Sequence, residues 1–315
     1  MTLRKITFLS GGTGTPKLLI GIRKILSDEE LTIIGNTGDD DKFYGILVSP
    51  DVDTLLYLFS EQLDLKKFWG VTDDTFSTLQ QLANLDEETW FHLGDKDFAL
   101  HLTRNRLLSS GFTLTETTKL LCQKLKIKAK ILPMTNDSIR TSMITQNNER
   151  LSFQEYTVKL RENLSVKEVI YCGSKTAKPS DDTLKAIKNS QAIIIGPSNP
   201  ITSIRPMLAM KRFKEALKKT KAKIIAVSPL SSGKAFSGPA AQLMKQLNIE
   251  PSSLGIATLY EEFLDTLIIC KSDKKLRPSI ENLGIDVIEA NISLNTNEER
   301  KELSNIILKS LEIEY

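Results

Sequence analysis

The sequence contains few of the residues that build metal centres and disulfide frameworks. Its 315 residues include three cysteines, Cys122, Cys172 and Cys270, and two histidines, His92 and His101. The cysteines lie far apart, without the spacing of a zinc site or a disulfide framework. A reducing compartment, the cytoplasm, is therefore expected. Cys172 and Cys270 end apolar runs, which predicts that both thiols are buried. Because histidine is scarce, any bound metal should be a hard ion with oxygen ligands.

Long apolar runs and an excess of charge of one sign are also missing. Every apolar run is much shorter than a membrane-spanning helix requires. The opening residues MTLRKITF lack the apolar stretch and cleavage site of a signal peptide. The formal net charge is +3, with both signs mixed along the chain, which argues against a polybasic nucleic-acid-binding protein. We therefore expect neither a membrane nor a nucleic acid as partner.

The sequence does contain a glycine-rich turn between an apolar strand and a helix. Residues 6–9 predict a buried strand, and Pro16 suits the first position of a helix. Such a turn presents backbone N–H groups and a helix N-terminus to an anion, often a phosphate. It matches neither the dinucleotide fingerprint nor the phosphate loop of nucleotide hydrolases, so a tight turn without a ligand stays an alternative. The candidate anion-binding residues in it are Gly11, Gly12, Thr13, Gly14 and Thr15.

Strands alternate with helices along most of the remaining chain. The predicted strands are residues 31–34, 45–48, 129–132, 169–172, 192–195 and 224–227, with a hairpin over residues 142–154. A helix is predicted from Asp53, and residues 68–125 hold several helical patterns without a convincing strand. This pattern predicts an α/β fold with a doubly wound, mainly parallel sheet. We interpret the chain as one domain over residues 1–315, with a helical insertion at about residues 54–128.

Four polar turns follow apolar strands of this predicted sheet. Their sequences are SGGTGT, GNTGDDD, GPSNP and SPLSSGK. In a parallel sheet the ligand crevice lies at the carboxyl ends of the strands. We therefore expect the four turns to lie along one edge of the sheet.

Two carboxylates lie at the mouth of the helix after Pro50. Asp51 and Asp53 could hold Mg²⁺, which favours one or two carboxylates together with substrate phosphates. One of them could also accept a proton from an attacking hydroxyl. The alternative is that Asp53 caps the helix and Asp51 is solvated.

The other candidate site residues are polar, and each could have a structural or solvent-exposed role instead of contacting a ligand. Asp39 and Asp40 could contact ribose or a metal, or could belong to a solvated acidic turn. Lys17 could contact phosphate or extend into solvent, and His92 could contact substrate or pack among aromatic residues. The substrate-binding candidates outside the glycine turn are Lys17, Asn36, Asp39, Asp40, Asp53, His92, Ser198, Asn199, Ser228 and Lys234. A phosphate turn with Mg²⁺ and a basic aspartate indicates phosphoryl or nucleotidyl chemistry.

Several segments together resemble the 2-phospho-L-lactate transferase family of coenzyme F-420 biosynthesis. They occur in order over residues 6–265: SGGTGTPKLL, NTGDD, SPDVDTLLYLFS, FWGVTDDTF, HLGDKD, ILPM, IGPSNPITSI and SGPAAQLM. The resemblance implies a Rossmann-like fold with a helical insertion, and a homodimer. It also implies Mg²⁺-dependent transfer of a phospholactyl or related phospho-acid group from a guanosine diphosphate-linked donor to the ribityl hydroxyl of the deazaflavin Fo. GMP is the product released.

The resemblance also implies roles for particular residues. Asp53 matches the carboxylate that contacts the deazaflavin and would hold or deprotonate the ribityl hydroxyl, and Asp51 would help to bind Mg²⁺. The SGGTGT and GPSNP turns would hold the diphosphate and the guanosine. His92 stands where family members often carry Arg or Lys. Phe236 and Ser237 replace a more usual valine-lysine pair, for which Lys234 could compensate.

A regulatory protein of the gluconeogenesis-factor type, which binds a nucleotide-sugar without turnover, is the alternative. That family shares the glycine turn and the sheet, but its members typically begin with three glycines and lack the SPDVDT stretch. A family member that binds Fo without turnover is a further possibility. The donor acid (phospholactate, phosphoenolpyruvate or phosphoglycerate) is left open by the sequence, because no identified residue recognises its carboxylate.

Overall fold

A computed structural model describes residues 5–236 and 238–311. Within these ranges the strands are β1 Ile6–Ser10, β2 Leu31–Gly35, β3 Asp41–Phe43, β4 Ile46–Val48, β5 Lys130–Pro133, β6 Arg140–Thr145, β7 Arg150–Ser152, β8 Val166–Cys172, β9 Ala192–Ile195, β10 Lys223–Val227, β11 Leu230–Ser231, β12 Lys234–Ala235, β13 Thr266–Cys270 and β14 Asp286–Ala290. The α-helices are α1 Gly14–Ile22, α2 Pro50–Phe59, α3 Ser77–Asn84, α4 Asp95–Ser109, α5 Leu114–Lys124, α6 Asp181–Asn189, α7 Arg205–Leu208, α8 Lys211–Lys219, α9 Ala240–Gln246, α10 Ser253–Tyr260, α11 Arg277–Glu281 and α12 Asn297–Ser310.

The main sheet of the described residues has seven parallel strands in the order β5-β2-β1-β9-β10-β13-β14. Counted along the chain, this is the order 3-2-1-4-5-6-7, which is the Rossmann arrangement. One apolar cluster includes Leu9 and Ile193, and a second includes Phe8 and Ile194. Because adjacent residues of a strand point to opposite faces, both faces of the sheet are covered. The predicted doubly wound α/β fold is confirmed.

The strand order places the topological switch point between β1 and β9. The chain leaves β1 toward β2 on one side and reaches β9 on the other, so the loops after these two strands diverge around a crevice. The turns after β2 and β10 lie at the same edge, because all these strands run in parallel. The expected arrangement of the four polar turns is therefore confirmed.

Two predicted strands belong to smaller antiparallel sheets. β8 pairs with β6 in a sheet of order β7-β6-β8, where the predicted hairpin forms β6 and β7. Lys167 and Glu168 are exposed on β8, and a strand of a parallel sheet covered on both faces could not accommodate them. β4 pairs only with β3 in a two-stranded ribbon of the described residues.

Two local predictions are wrong. Helix α2 begins at Pro50, one turn before Asp53, because proline fits the first helical position. Cys172 and Cys270 are half-buried. Cys172 lies at the end of an edge strand of the small sheet, and Cys270 is the last residue of β13.

Four helices, α2 to α5, occupy the chain between β4 and β5. A capping box begins α5, with Thr113 and Glu116 exchanging side chain-to-backbone hydrogen bonds. Of the helices in the described ranges, none has the length and apolar character needed to cross a membrane.

Candidate active site

The glycine turn after β1 is hydrogen-bonded to the loop after β9. The Ser198 Oγ accepts a hydrogen bond from the Gly11 N–H (3.2 Å) and donates one to the Gly11 carbonyl (2.7 Å). Its distance from the Thr15 Oγ1 is 2.7 Å. A Cβ on Gly14 would lie 1.9 Å from the Pro197 carbonyl oxygen. The two loops can approach this closely only because Gly14 has no side chain, and the N-terminus of α1 therefore lies at the switch point.

Asp51 connects the same turn to the loop after β2. Its Oδ1 accepts a hydrogen bond from the Gly12 N–H (2.6 Å), and its Oδ2 accepts one from the Asn36 Nδ2 (2.9 Å). Asn36 Nδ2 also donates to the Asp39 Oδ2 (3.1 Å). Burial raises the pKa of Asp51 to about 6. Asp51 is 8% exposed, so the alternative of a solvated Asp51 is wrong, and three of the polar turns form one hydrogen-bonded unit.

Asp53 lies two residues after Asp51 on α2 and faces a different partner. Arg104 of α4 donates to the Asp53 Oδ2 from Nη1 (3.1 Å) and to the Oδ1 from Nη2. The Ser49 N–H also donates to the Oδ2 (3.1 Å). The His101 Nδ1 lies 3.2 Å from the Arg104 Nη1, and burial lowers the pKa of His101 to about 4. The N-cap of α2 is Ser49, so Asp53 is not the capping residue of the alternative interpretation. It accepts from the Ser49 N–H from within the helix and is one half of a buried ion pair.

Sequence reasoning missed Arg104 and His101. The two residues are three positions apart on α4 and are 0% and 1% exposed, so they share one buried face of the helix. Polar residues at helical spacing within the run ALHLTRNRLL are the signal in the sequence. Without the structure that pattern cannot be distinguished from an exposed face.

The acidic turn contributes two further carboxyl groups. Burial raises the pKa of both Asp39 and Asp40 well above the usual range. The Ser49 hydroxyl donates to the Asp40 Oδ1 (2.7 Å). The Asp39 Oδ1 and the Thr141 hydroxyl are buried and form no hydrogen bond of good geometry, although Thr141 lies close enough to lower the pKa of Asp39 against the effect of burial. The prediction of a solvated turn is therefore wrong for Asp39, which is 5% exposed.

Some candidates have structural partners instead. The Lys17 Nζ lies over the ring of Phe68, 4.9 Å from its centroid. Ser228 is buried, accepts from the Leu230 N–H and lies within hydrogen-bonding distance of the Leu230 carbonyl. Asn199 caps the π-helical segment that begins at Pro200, with its Oδ1 accepting from the Ile201 and Thr202 N–H groups. These contacts favour the structural interpretation of Lys17, Ser228 and Asn199.

The remaining candidates are exposed. His92 is exposed and makes an edge contact with Phe76, with ring centroids 6.4 Å apart. It is not the packed histidine of the alternative interpretation. Lys234 is exposed on β12. Ser237, where family members more often have lysine, lies outside the described residues.

The site's donor atoms suit a hard cation that is completed by substrate. Within the described ranges there is no group of three or more His, Cys, Asp or Glu side chains placed to hold a metal. Mg²⁺ needs only one or two carboxylates when phosphates supply the other oxygens. Asp51 and the unpartnered Asp39 Oδ1 are carboxylates of this kind. The residues therefore fit Mg²⁺, which would use the remaining lone pairs, because both oxygens of Asp51 and both of Asp53 already accept hydrogen bonds.

The fold and the site together define a Rossmann-type α/β protein with a polar crevice at its switch point. A family model described as 2-phospho-L-lactate transferase CofD matches residues 6–308, and the chain belongs to this family. It is 40% identical over 301 residues to the 2-phospho-L-lactate transferase of Methanosarcina mazei, covering 96% of this chain and 98% of the relative. It is 39% identical over 307 residues to that of Methanocaldococcus jannaschii, covering 96% and 97%.

A solved structure has the same fold. The crystal structure of a UPF0052 family member from Bacillus halodurans superposes with a TM-score of 0.68, covering 98% of this chain and 99% of the other. The two sequences are 17% identical. At this identity the likeness extends to the architecture alone, since one fold serves many functions.

Proposed function

We propose that this protein is a 2-phospho-L-lactate transferase that uses Fo as acceptor and a guanosine diphosphate-linked phospho-acid as donor. The observation that carries the proposal is the junction of Gly12 and Asp51 at the switch point, with a 2.6 Å hydrogen bond from the backbone N–H to the carboxylate. It joins an anion-binding turn to a carboxylate at a helix N-terminus. Family membership supports the transferase class.

The backbone N–H groups in the first turn of α1 would bind the diphosphate, because the helix dipole favours an anion there and these N–H groups have no acceptor within the helix. Asp51 would help to hold Mg²⁺. The metal, when bound, neutralises phosphate charge that develops during transfer. Most of the rate enhancement would come from positioning and charge stabilisation, as in other phosphoryl transfers.

Asp53 would orient the ribityl hydroxyl and accept its proton. A carboxylate offers about four acceptor sites, and Arg104 and the Ser49 N–H occupy three of those on Asp53. One site on the Oδ1 is left for the hydroxyl. The hydroxyl oxygen would form a bond to the phosphorus that carries the acid, the bond from that phosphorus to the GMP oxygen would break, and the proton would pass to Asp53.

The first test measures the binding of Fo to the protein, with and without GDP and Mg²⁺. The intrinsic fluorescence of Fo reports the binding. We expect Fo to bind and its affinity to respond to GDP, because both ligands would share one crevice. A transfer assay with lactyl diphosphoguanosine would then yield GMP, would stop when EDTA removes the metal, and would resume when Mg²⁺ is added.

No Fo binding, together with tight binding of a nucleotide-sugar, would instead support the regulatory alternative. The homodimer is part of the proposal and is tested separately by light scattering. Competition between the three guanosine diphosphate-linked acids in the transfer assay would identify the donor.

A further inference from the structure

A cavity of about 290 Å³ lies beside the acidic turn, outside the junction of Gly12 and Asp51. One wall is the turn after β2, and the other is the small antiparallel sheet of β6, β7 and β8. The two walls are joined by a hydrogen bond from the Thr141 N–H to the Gly38 carbonyl (2.6 Å) and by one from the Gln154 Nε2 to the Asp39 carbonyl (3.3 Å). The turn and the small sheet therefore enclose the cavity together.

The register of the small sheet brings two arginines to one face. Arg140 on β6 is directly opposite Cys172 on β8, and Ser142 is opposite Ser152 on β7. Directly opposite residues, and residues two apart on a strand, point to the same face. Arg150, two residues before Ser152, donates to the Cys172 Sγ. Both guanidinium groups therefore lie around Cys172, on the face that lines the cavity.

Neither arginine has a carboxylate within hydrogen-bonding distance among the described residues, although Asp41, which also lines the cavity, forms a long ion pair with Arg140. Within the described residues, the side-chain hydrogen bond of Arg150 goes to a thiol, which is a weak acceptor, although a guanidinium has five N–H donors. The nearest carboxylate oxygen to Arg140 belongs to Asp41 and is 3.9 Å from Nη1. Arg104 and Lys17 have closer partners, because Arg104 is paired with Asp53 and Lys17 lies over the ring of Phe68. Both guanidinium groups thus keep N–H donors that could bind a carboxylate by the fork geometry that suits it.

The cavity adjoins the phosphate turn through shared residues. Asp39 lines the cavity, and the Asn36 side chain connects the Asp39 and Asp51 carboxylates. Asp51 in turn holds the Gly12 N–H.

We propose that this cavity binds the carboxylate of the phospho-acid carried by the donor, through Arg140 and Arg150 with the Ser142 and Ser152 hydroxyls. This inference rests on the proposed function. It adds the residues that recognise the carboxylate of the acid, for which the polar turns provide no residue. The donor is a carboxylic acid joined through its 2-oxygen to a diphosphate, so its carboxylate and its diphosphate would occupy neighbouring parts of one site.

The test compares three ligands on the full chain: GDP, lactyl diphosphoguanosine, and its analogue with an ethyl group in place of the lactyl group. For Arg150→Gln and Arg140→Gln we expect the affinity for the lactyl compound to fall about tenfold to a hundredfold, the range for a lost hydrogen bond to a charged group. Affinity for GDP and for the ethyl analogue should stay as in the wild type. Arg150→Lys, which keeps the charge without the fork, should lose less.

Arg212→Gln is the matched control, since Arg212 is an exposed arginine on α8. It should bind all three ligands as the wild type does. Unchanged affinity for the lactyl compound in both cavity variants would overturn the inference, and so would an equal loss for GDP or a loss confined to Fo. Failure of the proposed function is distinguishable, because the wild-type protein would then bind neither GDP nor the lactyl compound.

Discussion

The carboxylate of Asp53 and the guanidinium of Arg104 form a bidentate ion pair inside the protein. Asp53 is 3% exposed and Arg104 is 0% exposed. The Asp53 carboxylate raises the pKa of Arg104 against the opposing effect of burial. A buried ion pair is costly to break, because removal of one partner leaves the other charge without compensation. The residue that the family resemblance implicates in catalysis is thus also a structural residue.

Replacing Asp53 should therefore affect two separate properties. We expect Asp53→Asn to abolish transfer, because the proton acceptor is lost. We also expect the free energy of unfolding to fall by about 3–5 kcal/mol, because Arg104 would stay charged and buried. Urea denaturation measures the second effect, with Asp286→Asn, at an exposed strand residue, as the control. Near-normal transfer would remove the assignment as base, and stability equal to that of the control would contradict the role of the ion pair.

The glycine turn predicts a loss of nucleotide affinity on substitution of Gly12. Its φ is +62°, which a β-branched residue adopts only with strain. Gly12→Val should lose about 1–2 kcal/mol of stability and should bind GDP more weakly, because a side chain would lie beside the N–H groups of the turn. Gly45→Val is the control, since Gly45 has a φ of +77° and open space around it. Calorimetric titration with GDP should separate the two variants, and equal affinities would rule out the phosphate turn.

Replacing Ser198 should also lower stability and GDP affinity. Its hydroxyl bonds both backbone groups of Gly11, so Ser198→Ala would leave these groups without their partner. We expect a loss of about 1–3 kcal/mol together with weaker GDP binding, because the loop after β9 would no longer hold the turn in place. Ser304 provides the control, as a buried serine whose hydroxyl donates only to the Arg300 carbonyl of its own helix. Ser304→Ala should lose stability without a change in GDP affinity. A wild-type GDP affinity in Ser198→Ala would show that the loop contact does not position the turn.

Asp97 predicts a pH dependence of stability. Burial raises its pKa to about 6 from an ordinary 3.8, while the Tyr57 hydroxyl donates to it (2.7 Å). Because the folded state holds this proton more tightly than the unfolded state, its contribution is full at low pH and is lost as pH rises from about 4 to 6. Asp97→Asn should remove this loss, so its stability relative to the wild type should rise by about 1–3 kcal/mol across that window.

Chemical denaturation at a series of pH values measures this difference. The substitution also changes the hydrogen bond to Tyr57, but the free-energy cost of that change is the same at every pH. It therefore does not affect the pH dependence of the stability difference between variant and wild type. Asp181→Asn, at an exposed residue in the first turn of α6, is the control. A relative stability of Asp97→Asn that is flat between pH 4 and pH 7 would contradict the prediction.

The parallel sheet could be predicted because its signals are local. Four-residue apolar runs such as Ala192–Ile195 of β9 are apolar on both faces, and each is followed by a polar turn. The last residues of β8 are apolar too, which predicts a place in the same sheet. Its true partner, β6, is decided by Lys167 and Glu168, which need solvent. A local sequence pattern therefore predicts that a strand forms better than it predicts which sheet the strand joins.

The sequence by itself determined the α/β class, the glycine turn, the four polar turns at one edge and the family resemblance, because each depends on residues close together in the chain. Only the tertiary structure decided which distant residues meet. It paired Asp53 with Arg104 across 51 positions and brought Arg140 and Arg150 to one cavity beside Asp39. Such contacts depend on how helices and sheets pack against one another, and that packing is set by burial and shape over the whole chain, not by any local motif.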